Sequence, residues 1–212
     1  MKGFIFDLDG TLSDSIPGIV DAQRKAFADF NIQASDELII SYIGRPLAEA
    51  GEEQVGPGRG QEFLEAYFRH YYAQPLQLQA FDGIINMLQE LRQMGAKLAL
   101  CTSKRRKATL ETLDLIGIAP YLHQVVVCED TNEHKPAAEP GLCAAQRLGL
   151  SPDQCVFIGD SIHDIGCGSA AGMKSCGVTW GANSMDQLLE AGADYIVDSV
   201  EELHLLLLSL CA

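Results

Sequence analysis

Residues 4–12 read FIFDLDGTL, an apolar run that ends in two aspartates, Asp7 and Asp9, followed by Gly-Thr. A short run rich in Phe and Ile predicts a buried strand, and the two carboxylates would then lie just past its C-terminal end. In open α/β sheets, ligands bind outside the carboxyl ends of the strands. Two neighbouring carboxylates repel each other, so they require a cation or a shared proton. The stretch therefore predicts an α/β fold with a reactive site at the end of its first strand.

The composition indicates which binding partners and which kinds of cysteine site to expect. The chain has 212 residues, with 15 Lys plus Arg against 29 Asp plus Glu, and a formal charge of −14. We expect no nucleic-acid partner, because a protein this acidic binds polyanions poorly. The seven cysteines never form a Cys-x-x-Cys pair, which indicates free thiols, among them a buried Cys101. With no secretory signal and no membrane-spanning run, we expect a cytoplasmic monomer or homodimer without a membrane partner.

Strand-like and helix-like segments alternate along most of the chain. After the first strand, apolar runs bounded by Gly-containing turns predict further strands at residues 97–101, 124–128, 155–158, 174–178 and 195–197. Helical patterns fill the intervals between these runs. Strands that are separated by helices predict a parallel sheet covered by helices on both faces, so we expect a Rossmann-like α/β core.

One segment departs from this alternation. Residues 14–81 hold no convincing strand, and their apolar residues recur at helical spacing. This pattern predicts a small α-helical cap inserted after the first strand, with residues 1–13 and 82–212 forming the catalytic core. Two connections would join the cap to the core, an arrangement that suits a hinged lid over a site.

The strand ends of the predicted core carry polar residues suited to phosphoryl transfer. Mg²⁺ prefers oxygen ligands, and carboxylates are available at two of the strand ends. A carboxylate can attack phosphorus, and a second carboxylate can serve as general acid and base. Lysine and hydroxyl groups can hold the phosphoryl oxygens. The residues concerned are Asp7, Asp9, Thr102, Ser103, Lys135, Asp160 and Asp164.

Three further residues are candidates for this site. Gly10 would let the backbone approach a phosphate closely. Arg45 lies in the predicted cap, where it could reach a substrate carboxylate or phosphate, or remain a solvated surface arginine. His163 lies between two acidic positions and is a weaker candidate for a metal ligand.

Four motifs in order give the chain a resemblance to a known family. The first motif is residues 7–11, which read DLDGT, and the second is Thr102 at the end of a predicted strand. The third is Lys135 before Pro136, and the fourth is residues 159–164, which read GDSIHD. Together they resemble the phosphatase branch of the haloacid dehalogenase superfamily over the whole length. The second proline of the family's lysine motif is replaced by Ala138. Within that branch, the chain is most similar to the phosphoglycolate phosphatases and the related pyrophosphatases.

The resemblance implies a role for each motif residue. Asp7 would be the nucleophile, and Asp9 the general acid and base. Mg²⁺ would be bound by the Asp7 side chain, the main-chain carbonyl of Asp9 and Asp160, with Asp164 in support. Thr102 and Lys135 would hold the phosphoryl oxygens, together with the amide of Ser103. The implied substrate is a small phosphorylated metabolite, with 2-phosphoglycolate as the first candidate.

Several other activities share these residues. An inorganic pyrophosphatase and a sugar-phosphate mutase of the same superfamily are the enzymatic alternatives. A signalling domain phosphorylated on aspartate is the non-hydrolytic alternative, but Asp9 argues against it because a residue that activates water shortens the life of an acyl phosphate. A dehalogenase is also disfavoured by Asp9, which members with that activity typically lack.

Overall fold

The computed structural model describes residues 2–73 and 78–211. Its strands are β1 (Gly3–Phe6), β2 (Lys97–Cys101), β3 (Gln124–Val126), β4 (Cys155–Gly159), β5 (Lys174–Val178) and β6 (Tyr195–Val197). They form one parallel sheet with the order β3-β2-β1-β4-β5-β6. β1 is central, and Phe6 pairs in register with Leu100 of β2 and Ile158 of β4. The predicted α/β fold with a parallel sheet is confirmed.

One strand is shorter than the sequence predicts. β3 ends at Val126, and a 3₁₀ helix begins at Cys128. The carboxylate of Asp130 accepts a hydrogen bond from the Val127 N–H at 3.0 Å. This local bond draws the chain into a turn, so the prediction of a strand through residue 128 was wrong.

Four helices follow β1 before the chain returns to the sheet. They are α1 (Ile16–Asp29), α2 (Asp36–Ser41), α3 (Leu47–Val55) and α4 (Gly60–Tyr72). Their apolar residues form a cluster separate from the clusters on the sheet, and the rings of Phe27 and Phe63 lie 4.4 Å apart within it. The predicted helical insert is confirmed, although residues 74–77 of it lie outside the described residues. Its division from the core at residues 13/14 and 81/82 stays a prediction.

Helices cover both faces of the sheet. The remaining α-helices are α5 (Ile84–Gln93), α6 (Arg106–Ile116), α7 (Glu139–Leu148), α8 (Ile162–Ala170), α9 (Met185–Glu190) and α10 (Val200–Cys211). Successive side chains of a strand face opposite sides of the sheet. Phe4 and Phe6 accordingly pack in a cluster with Leu88 of α5, and Ile5 packs in a second cluster with Ala144 of α7. No helix in residues 2–73 and 78–211 has the length and apolar character needed to cross a bilayer.

Candidate active site

The sheet brings three of the predicted site residues to one edge. Asp7, Thr102 and Asp160 come directly after β1, β2 and β4. The N–H of Asp7 donates to the carbonyl of Ile158 at 2.9 Å, and the N–H of Thr102 donates to the carbonyl of Val126 at 3.0 Å. These bonds continue the strand pairing past the strand ends. Asp7 and Thr102 are therefore positioned by the hydrogen bonding of the sheet.

An acidic cluster with a buried lysine lies at this edge. Carboxylate oxygens of Asp7, Asp160 and Asp164 lie within 4.8 Å of one another, and all three residues are buried. The Nζ of Lys135 donates to Oδ1 of Asp7 at 2.7 Å and to Oδ1 of Asp164 at 2.6 Å. The structure thus brings four of the predicted site residues into direct contact or near contact, although they come from distant parts of the sequence.

Hydrogen bonds fix the two carboxylates that follow β4. Asp160 accepts from the Thr11 hydroxyl at 2.7 Å and from the Ala182 N–H at 2.8 Å. Asp164 lies in the first turn of α8, where it accepts from the hydroxyl of Ser161 at 2.6 Å and from its N–H at 3.0 Å. This reciprocal arrangement is a capping box. Both carboxylates are therefore oriented before any ligand arrives.

Gly10 has a structural reason to be glycine. Its φ is +85°, a conformation that residues with a side chain rarely adopt. A Cβ at this position would lie 2.3 Å from Oδ2 of Asp160. The turn after β1 therefore approaches the acidic cluster closely only because position 10 lacks a side chain. The predicted contact of Gly10 with a phosphate stays a prediction.

The electrostatics of the cluster favour a bound cation. Burial raises the pKa of Asp7 to about 7, although Lys135 acts to lower it. Burial, with repulsion from Asp164 and Asp7, raises the pKa of Asp160 well above its usual range. Burial acts to lower the pKa of Lys135, but Asp164 and Asp7 outweigh it and raise that pKa. Three carboxylates face one ammonium group, and their donor atoms are all oxygens. The cluster therefore fits a hard divalent cation.

Asp9 has a different environment from Asp7. Its carboxylate accepts from the Ser15 hydroxyl at 2.7 Å and from Lys104 Nζ at 2.9 and 3.2 Å, and it is not part of the acidic cluster. Lys104 was missing from the predicted site residues, although it directly follows Thr102 and Ser103 at the end of β2. Its position in that run was the available signal. The predicted metal ligand at residue 9 is the main-chain carbonyl, and that role stays a prediction.

A cavity of about 220 Å³ lies between the sheet edge and the helical insert. Thr102 and Ser103 line it from the core, together with Asp7, Asp9 and Lys104. The Ser103 hydroxyl donates to the Gly44 carbonyl at 2.7 Å, which joins the core to the insert. Arg45 lines the opposite side, where its guanidinium pairs with Glu53 of α3. His163 lies half-buried near Gly44 and is not part of the acidic cluster.

The comparison with known families agrees with this geometry. A model of the haloacid dehalogenase-like hydrolase family matches residues 4–178. The chain belongs to this family. The match includes the four motifs and the helical insert, and it confirms the family resemblance that the sequence indicates.

Individual haloacid dehalogenase-like hydrolases match this chain along nearly its whole length. A phosphoglycolate phosphatase from Salmonella typhimurium is 32% identical, and the alignment covers 96% of this chain and 91% of that protein. Pyrophosphatase PpaX from Oceanobacillus iheyensis is 26% identical, with 96% and 95% covered. The solved structure of a hydrolase from Pseudomonas syringae is 25% identical, has a TM-score of 0.92 and is matched over 100% of both chains. This chain is therefore an enzyme, a hydrolase of the family that contains these phosphatases.

Proposed function

We propose that this hydrolase is a Mg²⁺-dependent phosphatase that removes a phosphoryl group from a small phosphorylated metabolite. The observation that carries the proposal is the contact between Asp7 and Lys135 inside a buried acidic cluster whose Asp7 lines the cavity. A carboxylate held in this way can act as a nucleophile, and the ammonium group can bind the phosphoryl oxygens. Bound Mg²⁺ would offset the negative charge that the phosphate brings to the carboxylates.

The proposed reaction has two steps that use Asp7 and Asp9 differently. In the first, a carboxylate oxygen of Asp7 attacks phosphorus, the bond to the leaving oxygen breaks, and Asp9 donates a proton to that oxygen. In the second, Asp9 takes a proton from water, the water oxygen attacks the phosphoaspartate, and the bond to Asp7 breaks. Thr102, Lys135 and the amide of Ser103 are the groups proposed to hold the phosphoryl oxygens.

The site residues divide into two proposed sets. Asp7, Asp160 and the carbonyl of Asp9 are the proposed metal ligands, with Asp164 in support. The different partners of the two aspartates after β1 support the division of labour, because Lys135 contacts Asp7 whereas Lys104 and Ser15 contact Asp9. A carboxylate outside the metal cluster remains available for proton transfer.

The helical insert is proposed to act as a cap over this site, with residues 14–81 as its extent. Its separate apolar cluster supports the division. Its contacts with the core include polar ones: Ser103 donates to the Gly44 carbonyl, and His134 lies 3.5 Å from the Glu49 carboxylate. Polar contacts of this kind exchange readily with water, which is compatible with opening for substrate entry.

Two substrates follow from the names of relatives. 2-Phosphoglycolate is the first to test, since the Salmonella relative is named for it. Inorganic pyrophosphate is the second, because another relative is named a pyrophosphatase, and because Arg45 and Arg105 line the cavity and could bind a second phosphate group.

The proposal is tested by phosphate release from p-nitrophenyl phosphate. We expect turnover with Mg²⁺, its loss on addition of EDTA, and a fall of at least about 10³-fold in Asp7→Asn. Asp186→Asn is the control, since Asp186 is exposed on α9. Retained turnover in Asp7→Asn contradicts the mechanism. A phosphorylated Asp7 that persists without turnover would favour the signalling switch instead.

A further inference from the structure

The insert side of the cavity carries two buried polar groups without partners. Gln23 of α1 is 2% exposed and Tyr42, just after α2, is 4% exposed. Within the described residues, neither Oε1 of Gln23 nor the hydroxyl of Tyr42 has a hydrogen-bond partner. Both residues line the same cavity as Asp7 and Asp9. A buried polar atom without a partner costs folding free energy, so such atoms beside a cavity indicate groups that a ligand satisfies.

Gln23 occupies an unusual position on its helix. The buried face of α1 otherwise consists of apolar side chains at helical spacing, including Ile19, Ala22, Ala26 and Phe27. Packing against α4 would favour an apolar residue at position 23 as well. An amide in this stripe is unfavourable for stability, which supports a role in binding.

The surroundings of the two groups favour a neutral ligand group. Ile19, Leu64 and Tyr67 line the cavity nearby. Arg45, the positive charge on the insert side of this cavity among the described residues, is already paired with Glu53. The Arg45 guanidinium lies 5.7 Å from the centroid of the Tyr42 ring, but Glu53 already balances its charge. A carboxylate or phosphate beside the amide and the phenol would therefore lose much of its hydration with little compensation. A hydroxyl group can both donate and accept, and so can the amide and the phenol.

We propose that Gln23 and Tyr42 form a subsite that binds a hydroxyl group on the leaving alcohol of the phosphate ester. The substrate class is then the monophosphates of diols and polyols. This inference rests on the proposed phosphatase function and sharpens it. It ranks hydroxylated esters above 2-phosphoglycolate, whose leaving group carries a carboxylate, and above pyrophosphate.

Matched pairs of esters test this subsite. Each pair consists of an alkyl phosphate and the ω-hydroxyalkyl phosphate of the same length, which differ only in the terminal hydroxyl. Chain lengths of two to four carbons are tested, so that the series varies the distance between the phosphorus attacked by Asp7 and the hydroxyl. With Mg²⁺, we expect the wild type to show a kcat/KM at least about tenfold higher for the best hydroxylated ester than for its alkyl partner. Gln23→Leu should reduce that ratio by about tenfold, and Tyr42→Phe should reduce it less. Gln54→Leu, at an exposed position of α3, should leave the ratio unchanged.

Stability separates a binding role from a structural one. Leucine has nearly the volume of glutamine and removes a buried unpaired group, so Gln23→Leu should melt at the wild-type temperature or above it. A lower melting temperature with an unchanged ester ratio would mean that Gln23 is structural, and it would overturn the proposal. The proposal is also overturned if the wild type does not distinguish the paired esters, or if Gln23→Leu lowers kcat/KM equally for both esters of a pair.

The same assay separates the two levels of inference. If p-nitrophenyl phosphate is hydrolysed in an Asp7-dependent manner but the ester pairs are not distinguished, the subsite is wrong and the phosphatase function stands. If the wild type releases phosphate from no ester, the phosphatase function fails, and the subsite fails with it.

Discussion

The two walls of the cavity are built on opposite principles. On the core side, Asp7 lines the cavity and is backed by the buried Asp160 and Asp164. Each of these carboxylates has hydrogen-bond partners, and Lys135 supplies a buried positive charge. On the insert side, Gln23 and Tyr42 are neutral, and within the described residues Oε1 of Gln23 and the hydroxyl of Tyr42 have no hydrogen-bond partner. A wall that must stabilise charge during a reaction benefits from preorganised partners. A wall that selects a ligand must instead leave its polar groups free to bind it.

The largest expected effect comes from removing the positive charge of the core wall. Lys135→Met leaves Asp7 and Asp164 buried without their counter-charge, and we expect a loss of about 3–5 kcal/mol in the free energy of unfolding without metal. Urea denaturation in EDTA measures this loss. Lys107→Met is the control, because the Lys107 side chain is 80% exposed and should cost less than about 1 kcal/mol. Equal stabilities for the two variants would mean that the core wall does not depend on its lysine.

A second substitution tests how closely the core wall is packed around Asp160. A Cβ at Gly181 would lie 2.2 Å from the Asp160 Cβ. Gly181→Ala should therefore displace this carboxylate and lower kcat/KM for p-nitrophenyl phosphate by about 10²-fold. Gly18→Ala in α1 is the control, since nothing lies within 4 Å of the added methyl group. The control should keep full activity, and an active Gly181→Ala enzyme would show that the position of Asp160 is not critical.

The two walls also differ in how far the sequence predicts them. Asp7, Thr102 and Asp160 directly follow apolar strands, and parallel strands present their carboxyl ends at one edge, so the pattern alone brings these residues together. Lys135 comes from the loop that follows β3, so its predicted place rested on the reach of that loop as well as on the family motif. Lys104 and Asp9 are 95 residues apart in the sequence. Their contact depends on how far the lysine side chain extends in the folded protein, which the spacing of residues in the sequence does not reveal.

The insert wall depends on tertiary packing to a greater extent. A glutamine in a helix is ordinarily exposed, and only the packing of α1 against its neighbours buries Gln23. Its place among apolar residues at helical spacing was the signal that could have identified it. Arg45 is a different case, because the sequence leaves open whether it binds substrate or is a solvated surface arginine, and its pairing with Glu53 could not be read from spacing.

Substitution of Arg45 tests the contrast between the two walls through a smaller expected change in activity. Because its charge is balanced by an exposed Glu53, Arg45→Ala should change kcat/KM for p-nitrophenyl phosphate by less than about fivefold. Glu53→Gln, which frees the guanidinium, serves as the reciprocal variant. A large loss in Arg45→Ala that is confined to 2-phosphoglycolate or pyrophosphate would give the arginine the substrate-binding role that the sequence leaves open. The insert wall would then be charged during binding, contrary to the neutral subsite.

The smallest expected effect concerns Cys101, the residue of β2 next to Thr102. It is 1% exposed, and burial raises the pKa of its thiol well above the usual value. Iodoacetamide reacts with thiolates, so it should label the half-buried Cys143 of α7 before Cys101 and leave turnover unchanged. Labelling is best done in Cys128→Ser, because Cys128 lines the cavity. Mass spectrometry measures the labelling of Cys101. If activity falls in proportion to that labelling, the core wall opens beneath Thr102. The preorganisation that distinguishes it from the insert wall would then be incomplete.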